Sequence, residues 1–140
     1  MKHYFLENQP EYIKTAAQNY KLIGPEFVGQ GCTEQCGSDS YGYYIVDILI
    51  PRKLVALVPA KSNFTVSYPD GHMTSEMPMD QILQNTVKYG NNICPDYDYI
   101  QRWGKKWYRC EIIHGQITRI KRSSIRLYWN GAHSYRDPHF

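Results

Sequence analysis

No stretch of this 140-residue chain is apolar for long. Its longest apolar run, "YYIVDILIP", is interrupted by Asp47 and stops far short of the ~20 residues a membrane-spanning helix needs. The amino-terminal "MKHYFLENQPEY" has acids where a signal peptide carries its apolar segment. These absences predict an intracellular, cytoplasmic protein with no membrane partner. In that setting the glycosylation pattern "NFT" at Asn63 carries no weight. Signatures of chemistry are missing too. There is no G-x-S-x-G nucleophile elbow and no G-x-x-x-x-G-K-[ST] phosphate loop. The segment "GPEFVGQGCTEQCGSDSYG" has five glycines but lacks the strand-before, helix-after context of a nucleotide loop. No repeat, low-complexity block or long Gly/Ser linker divides the chain, so residues 1–140 read as a single domain of ordinary size.

Cysteine is scarce and poorly spaced for metal. There are four, at Cys32, Cys36, Cys94 and Cys110. "CTEQC" has a spacing found at zinc sites, but fifteen residues separate the other two. Cys110 falls on the expected inner face of a strand, where a buried thiol is the economical reading. The chain is therefore expected to fold with no metal and no cofactor. A Cys32–Cys36 disulfide would require an oxidising compartment.

Tyrosine and positive charge are what the chain does have. Thirteen tyrosines suit half-buried sheets and interfaces, since each joins an apolar ring to a polar tip. Net charge is only +3, but it is unevenly spread. Residues 1–100 carry seven Lys/Arg against eleven Asp/Glu, whereas residues 101–140 carry nine against two, a balance of 9 − 2 = +7. Such asymmetry points to an anionic partner for the basic part.

Two helices are expected. "PEYIKTAAQNYKLIG" starts at a proline suited to a first turn and ends at Gly24 as a left-handed cap; "PMDQILQNTVKYG" places Ile82, Leu83, Thr86 and Val87 on one face and ends at Gly90. Residues 29–42 are expected to form an irregular, partner-contacting loop, because no periodic apolar face spans them. The remainder reads as strands. "YYIVDILI" is nearly continuous apolar, "LVALV" follows Pro51, and "NFTVSY" turns through "PDG" into "HMTSEM". "IRLYW" precedes Asn130-Gly131, a hairpin signal that would bring "AHSY" back with His133 opposite Tyr128.

The segment "RWGKKWYRCEIIHGQITRIKRSS" reads as a basic hairpin around His114-Gly115. A two-residue turn sets Cys110 opposite Arg119 and mixes apolar with charged residues on each face. A three-residue loop, His114 to Gln116, sorts them instead. Its inner face is Tyr108, Cys110, Ile112 and Ile120, and its outer face Arg109, Glu111, Arg119 and Lys121. The strands "WYRC" and "IRLYWNG" resemble barrel strands of Tudor and other SH3-like domains over the last quarter of the chain. That resemblance implies a bent, barrel-like arrangement of hairpins. The expected fold is α+β: a strongly bent antiparallel sheet or partial SH3-like barrel with two short helices packed on one side.

The candidate site is the cationic group Arg102, Lys105, Lys106, Arg109, Arg119, Lys121, Arg122 and Arg126, interleaved with Trp103 and Trp107. Cations hold a phosphate backbone or an acidic protein surface, and aromatic faces stack on unpaired bases. The leading expectation is a small binding or assembly protein without chemistry of its own, of an accessory, phage-type or inhibitor kind, that engages a polyanion (nucleic acid or an acidic protein partner). The rival is a phosphodiester-cleaving, RNase-like enzyme, with His133 as base and Arg109 or Arg119 stabilising the transition state. A third reading is a structural subunit of a homo-oligomer or viral assembly.

Overall fold

The computed structural model describes residues 5–50, 53–64, 73–122 and 124–135. A 3₁₀ turn at Leu6–Asn8 leads into α1, Glu11–Gln18. This helix is shorter than its sequence pattern predicts. Tyr20 adopts a φ of 55°, and the Lys21 N–H donates to the Ala16 carbonyl at 2.9 Å. That closure ends the helix, so the left-handed cap is Tyr20 and not Gly24. The second helix, α2, spans Met79–Tyr89 and ends at Gly90, as expected. Its inward residue is Asn85, however, while Leu83 and Val87 are exposed.

The strands are β1 (Gly31–Cys36), β2 (Asp39–Ile50), β3 (Leu54–Pro59), β4 (Lys61–Phe64), β5 (Met73–Glu76), β6 (Asp98–Trp103), β7 (Lys106–Ile113), β8 (Gln116–Arg119) and β9 (Arg126–Tyr128). Seven of them form one antiparallel sheet in the order β8-β7-β6-β3-β2-β1-β9, and β4 and β5 form a separate ribbon. The rest of the expected strand after Phe64, and the "PDG" turn, lie outside the described residues. The large sheet curls until its ends nearly meet. Ile125, just before β9, bridges Trp107 of β7 through an N–H to carbonyl bond of 2.9 Å. The protein is thus α+β, a strongly curled antiparallel half-barrel with two helices.

The concave side holds the core: Ile13 of α1, Cys32, Ile45, Ile48, Val55, Leu57, Ile100, Trp107 and Trp129. On the other face, Val46, Ala56 and Tyr99 share a cleft with Ile82, Asn85 and Tyr89 of α2. In β2 the fully buried positions are Gly42, Ile45 and Ile48, every third residue. The register shift between Ile45 and Asp47 explains the step from Ile45 to Ile48, since a bulge resets the two-residue alternation. Gly42 lies on the opposite face from Ile45, where Ala132 covers it.

Residues 29–42 are not an irregular loop. They form most of the β1–β2 hairpin, in register from Gly31↔Tyr44 to Cys36↔Asp39. The glycines that suggested a loop serve packing and turning. A Cβ on Gly31 would lie 2.6 Å from the Ala132 nitrogen, so glycine there lets the carboxy-terminal segment cross the hairpin closely. Asn130-Gly131 does not close a hairpin either. The chain runs on, and Tyr135 exchanges backbone bonds of 2.8 and 2.9 Å with Ser40.

The β7–β8 hairpin has the two-residue turn. Cys110 pairs with Arg119 and Ile113 with Gln116, and His114 and Gly115 have φ of 50° and 74°. Two successive left-handed residues match the twist of a tight hairpin. The three-residue loop and its sorting of faces are therefore corrected. Trp107 enters the core, so Arg109 shares its concave side, while Tyr108 and Cys110 face outward. No helix among the described residues is long and apolar enough to cross a membrane.

Candidate anion-binding cleft

Because the sheet curls without closing fully, a seam remains between β7 and β9. It opens as a cleft of about 1220 Å³. Its floor is apolar: Trp107 and Trp129, with ring centroids 5.2 Å apart, beside Ile120, Ile125 and Leu127. Among the described residues its cations are Lys105, Lys106, Arg109, Arg122 and Arg126, and its one lining acid is Glu34. Five cations against one acid leave the cleft positive in water and attractive to anions.

Asn130 lines its end wall, and Gln30 braces the chain behind it. The Asn130 side chain accepts from the Leu22 N–H at 2.7 Å and donates to the Leu22 carbonyl at 2.9 Å, standing in for a strand neighbour. Gln30, 2% exposed, accepts from the Glu26 and Phe27 N–H groups and donates to the Gly24 and Trp129 carbonyls. A buried amide bonded at both ends is a rigid joint. Leu22 is buried at this wall, and Ile23 projects beside it, 91% exposed.

Deeper in the seam, Arg109 donates to the Glu34 carboxylate and, at 3.3 Å, to the Tyr43 phenol oxygen. The phenol in turn donates to Glu34 at 3.4 Å. The Glu34 side chain is only 5% exposed against 37% for Arg109, so this pair is anchored inside and reaches solvent at its cationic end. Burial raises the Tyr43 pKa, and the Arg109 guanidinium partly offsets it. Burial likewise lifts the Asp98 carboxyl above its ordinary value; Arg109 opposes this and Glu34 adds to it. Lys105, Lys106, Arg122 and Arg126 are exposed around this network.

The structure divides the ten predicted site residues. Lys105, Lys106, Trp107, Arg109, Arg122 and Arg126 meet in the cleft. Arg102, Trp103, Arg119 and Lys121 do not line it. Arg119 lies on the convex face, its guanidinium 4.1 Å from the Trp103 ring centroid and 5.5 Å from that of Tyr108. His133 is not opposite Tyr128, whose partner is Thr33. Its N–H donates to Thr33 Oγ1, which donates to the Gly131 carbonyl. Thr33 and Glu34 are successive strand residues and face opposite ways. His133 therefore sits across the sheet from Arg109.

Cysteine chemistry is disfavoured on the same geometry. Cys32 and Cys36 lie on one strand, and four residues at a rise of ~3.4 Å separate their Cα atoms by ~14 Å. That is too far for a disulfide or for shared ligation of one ion. Cys110 faces outward, contrary to its expected place on the inner face. Burial first, and Glu34 second, push the Cys32 pKa up to about 12 and also raise Cys36. Burial raises Cys110 to about 11 against the pull of Arg119. None of these thiols is an activated nucleophile. Among the described residues no cluster of three or more His, Cys, Asp or Glu is arranged to hold a metal ion.

Glu34, Tyr43, Gln30 and Asn130 were missed from sequence. The signal for Glu34 was present: in "CTEQC", read as a strand, Cys32, Glu34 and Cys36 share one side. The flanking glycines drew the segment into a loop instead. No family model, curated protein or solved structure matches this chain.

Proposed function

We propose that this is a small binding or assembly protein without chemistry of its own, which engages an anionic macromolecule in the seam cleft. The observation that carries the reading is the lining of the cleft, where the described residues set five cations around one acid that is itself bound to Arg109. Fixed positive charge beside a low-dielectric floor focuses the field toward the opening. The cleaving-enzyme reading lacks comparable support, because His133 lies on the far side of the sheet from Arg109, and Arg119 is committed to two aromatic rings.

Retention on heparin, a generic polyanion, tests this. Replacing Lys105, Arg122 and Arg126 with glutamate changes exposed side chains and should abolish retention at physiological salt while the thermal midpoint holds. Replacing Arg119 and Lys121 with glutamate should leave most of it. If the second set matters as much as the first, net charge and not the cleft binds the anion.

A second reading, self-association, has its own observation. The convex face of the β6–β7–β8 region exposes Trp103 at 65% and Ile112 at 38%. Light scattering across a dilution series checks it, with a concentration-independent monomer mass as the contrary result.

A further inference from the structure

We infer that the occupant of the seam cleft is an acidic peptide segment in extended conformation, with apolar side chains between its acids, and that it pairs with the open edge of β9. The inference rests on the cationic reading of the cleft given above, and adds the chemical class of the partner.

Three observations lead to it. The first is the backbone. Ile125 turns its N–H toward β7, where it bonds to Trp107. Alternation along a strand then turns the Leu127 N–H and carbonyl the same way. The other side of the ladder agrees. Gly31 accepts from the Gly131 N–H, so by alternation Thr33 and Gln35 address β9, and their partners Tyr128 and Arg126 address β1. Leu127 lies between them and addresses the seam. Its counterpart on β7 would be Lys105, which falls in the β6–β7 turn just before β7 begins. Among the described residues the ladder between β7 and β9 stops after one bridge, and the main chain of Leu127 opens on the cleft. Such an edge is matched by another strand, not by a nucleic-acid backbone.

The second observation is the floor. Ile120, Ile125 and Leu127 are aliphatic, and the two floor tryptophans are 8% and 6% exposed. Nucleic-acid clefts present several accessible aromatic faces on which bases stack; here Tyr128 is the exposed aromatic among the described lining residues, and the floor accepts aliphatic side chains, with the almost fully exposed Ile23 extending it outward. The third is charge. The exposed rim of Lys105, Lys106, Arg122 and Arg126 complements acids flanking an apolar anchor. In a strand the two kinds of side chain alternate, so one inserted segment would present acids to the rim and apolar groups to the floor.

Fluorescence anisotropy with defined probes tests this on the full chain. The principal probe is a labelled peptide of about ten residues alternating Asp/Glu with Leu/Val, long enough to pass the cleft at ~3.4 Å per residue. The comparison probes are oligoglutamate of equal charge, the same alternating peptide N-methylated at every second amide, and a thymidine oligonucleotide of equal charge. The alternating peptide should bind at least ~10-fold more tightly than oligoglutamate or the oligonucleotide. N-methylation should weaken it by ~5-fold or more, because it removes strand pairing while keeping charge and apolar groups. Ile23→Asp, at an exposed site, should erase the preference for the alternating peptide over oligoglutamate. Tighter binding of the oligonucleotide would overturn the peptide assignment and leave the anion-binding reading standing. Equal binding of oligoglutamate, or indifference to N-methylation, would overturn it as well. If no probe binds at low salt, both readings fall.

Discussion

Arg109 and Arg119 belong to one hairpin and carry the same charge, yet the two faces of the half-barrel use them in opposite ways. On the concave face, Arg109 satisfies the buried carboxylate of Glu34 and is held by Tyr43. On the convex face, Arg119 lies over Trp103 and Tyr108, in contact with water. The first arrangement ties two distant parts of the sheet together, β1 to β7. The second is local to one hairpin and its neighbour. Guanidinium groups suit both, being planar and weakly hydrated, but the energetic stakes differ. A buried ion that loses its partner keeps its desolvation cost, whereas a surface cation that loses an aromatic face returns to water.

Removing each arginine breaks the comparison open. Arg109→Ala strands Glu34 and should cost about 3 kcal/mol in urea unfolding, at the low end for a broken buried pair because Arg109 itself reaches solvent. Adding Glu34→Gln should recover part of the loss, since it removes the uncompensated charge. If Arg109→Ala is nearly neutral, the concave pair is not structural. Arg119→Ala should cost only about 0.5–1 kcal/mol and leave heparin retention close to wild type. A cost equal to that of Arg109→Ala would erase the distinction between the faces.

The smallest expected effect concerns Asp98, which shares the concave face with Arg109. Burial raises its folded pKa above the ordinary value of 3.8, with Arg109 opposing and Glu34 reinforcing the shift. An acid with a raised folded pKa holds its proton better in the native state. Native stability therefore falls as pH rises through the window between 3.8 and the raised value, and the penalty persists above it. Asp98→Asn removes that slope. Urea midpoints followed from below 3.8 to neutrality should show the variant gaining on wild type across the window and staying level thereafter. A variant that loses ground toward neutral pH would mean that the Asp98 charge is favourable, and that Arg109 serves two carboxylates.

The hairpin also shows where reading from sequence goes astray. Sorting residues by polarity disfavours the two-residue turn, because that turn sets Arg119 against Cys110 on a face with Tyr108 and Ile112. The structure has that pairing, and aromatic rings make it tolerable, since Trp103 and Tyr108 accept a cation as readily as an aliphatic neighbour. Binary sorting into apolar and charged faces has no category for that contact. The same rule misplaced Arg109, whose guanidinium turns to the concave face and bonds a buried acid from a segment read as loop. In α2 an amphipathic stripe of Ile82, Leu83, Thr86 and Val87 was legible, but the buried position is Asn85.

Local chemistry did determine much. Helix α2 and its glycine end, the strand character of β2, β3 and β7, the presence of a hairpin about His114-Gly115 (though not its two-residue turn) and the concentration of cations after residue 100 can all be read from neighbours in the chain. Local preferences depend on φ, ψ and side-chain spacing over a few residues, and the sequence displays these directly. Which cations meet was decided only in three dimensions. The curl of the sheet brings β9 to β7, so Lys105 and Arg126 flank one cleft while Arg119, nearer to Arg126 along the chain, faces away from it. Strand alternation assigns a side chain to one of two faces, but only the accumulated twist of seven strands decides which distant strand that face will meet.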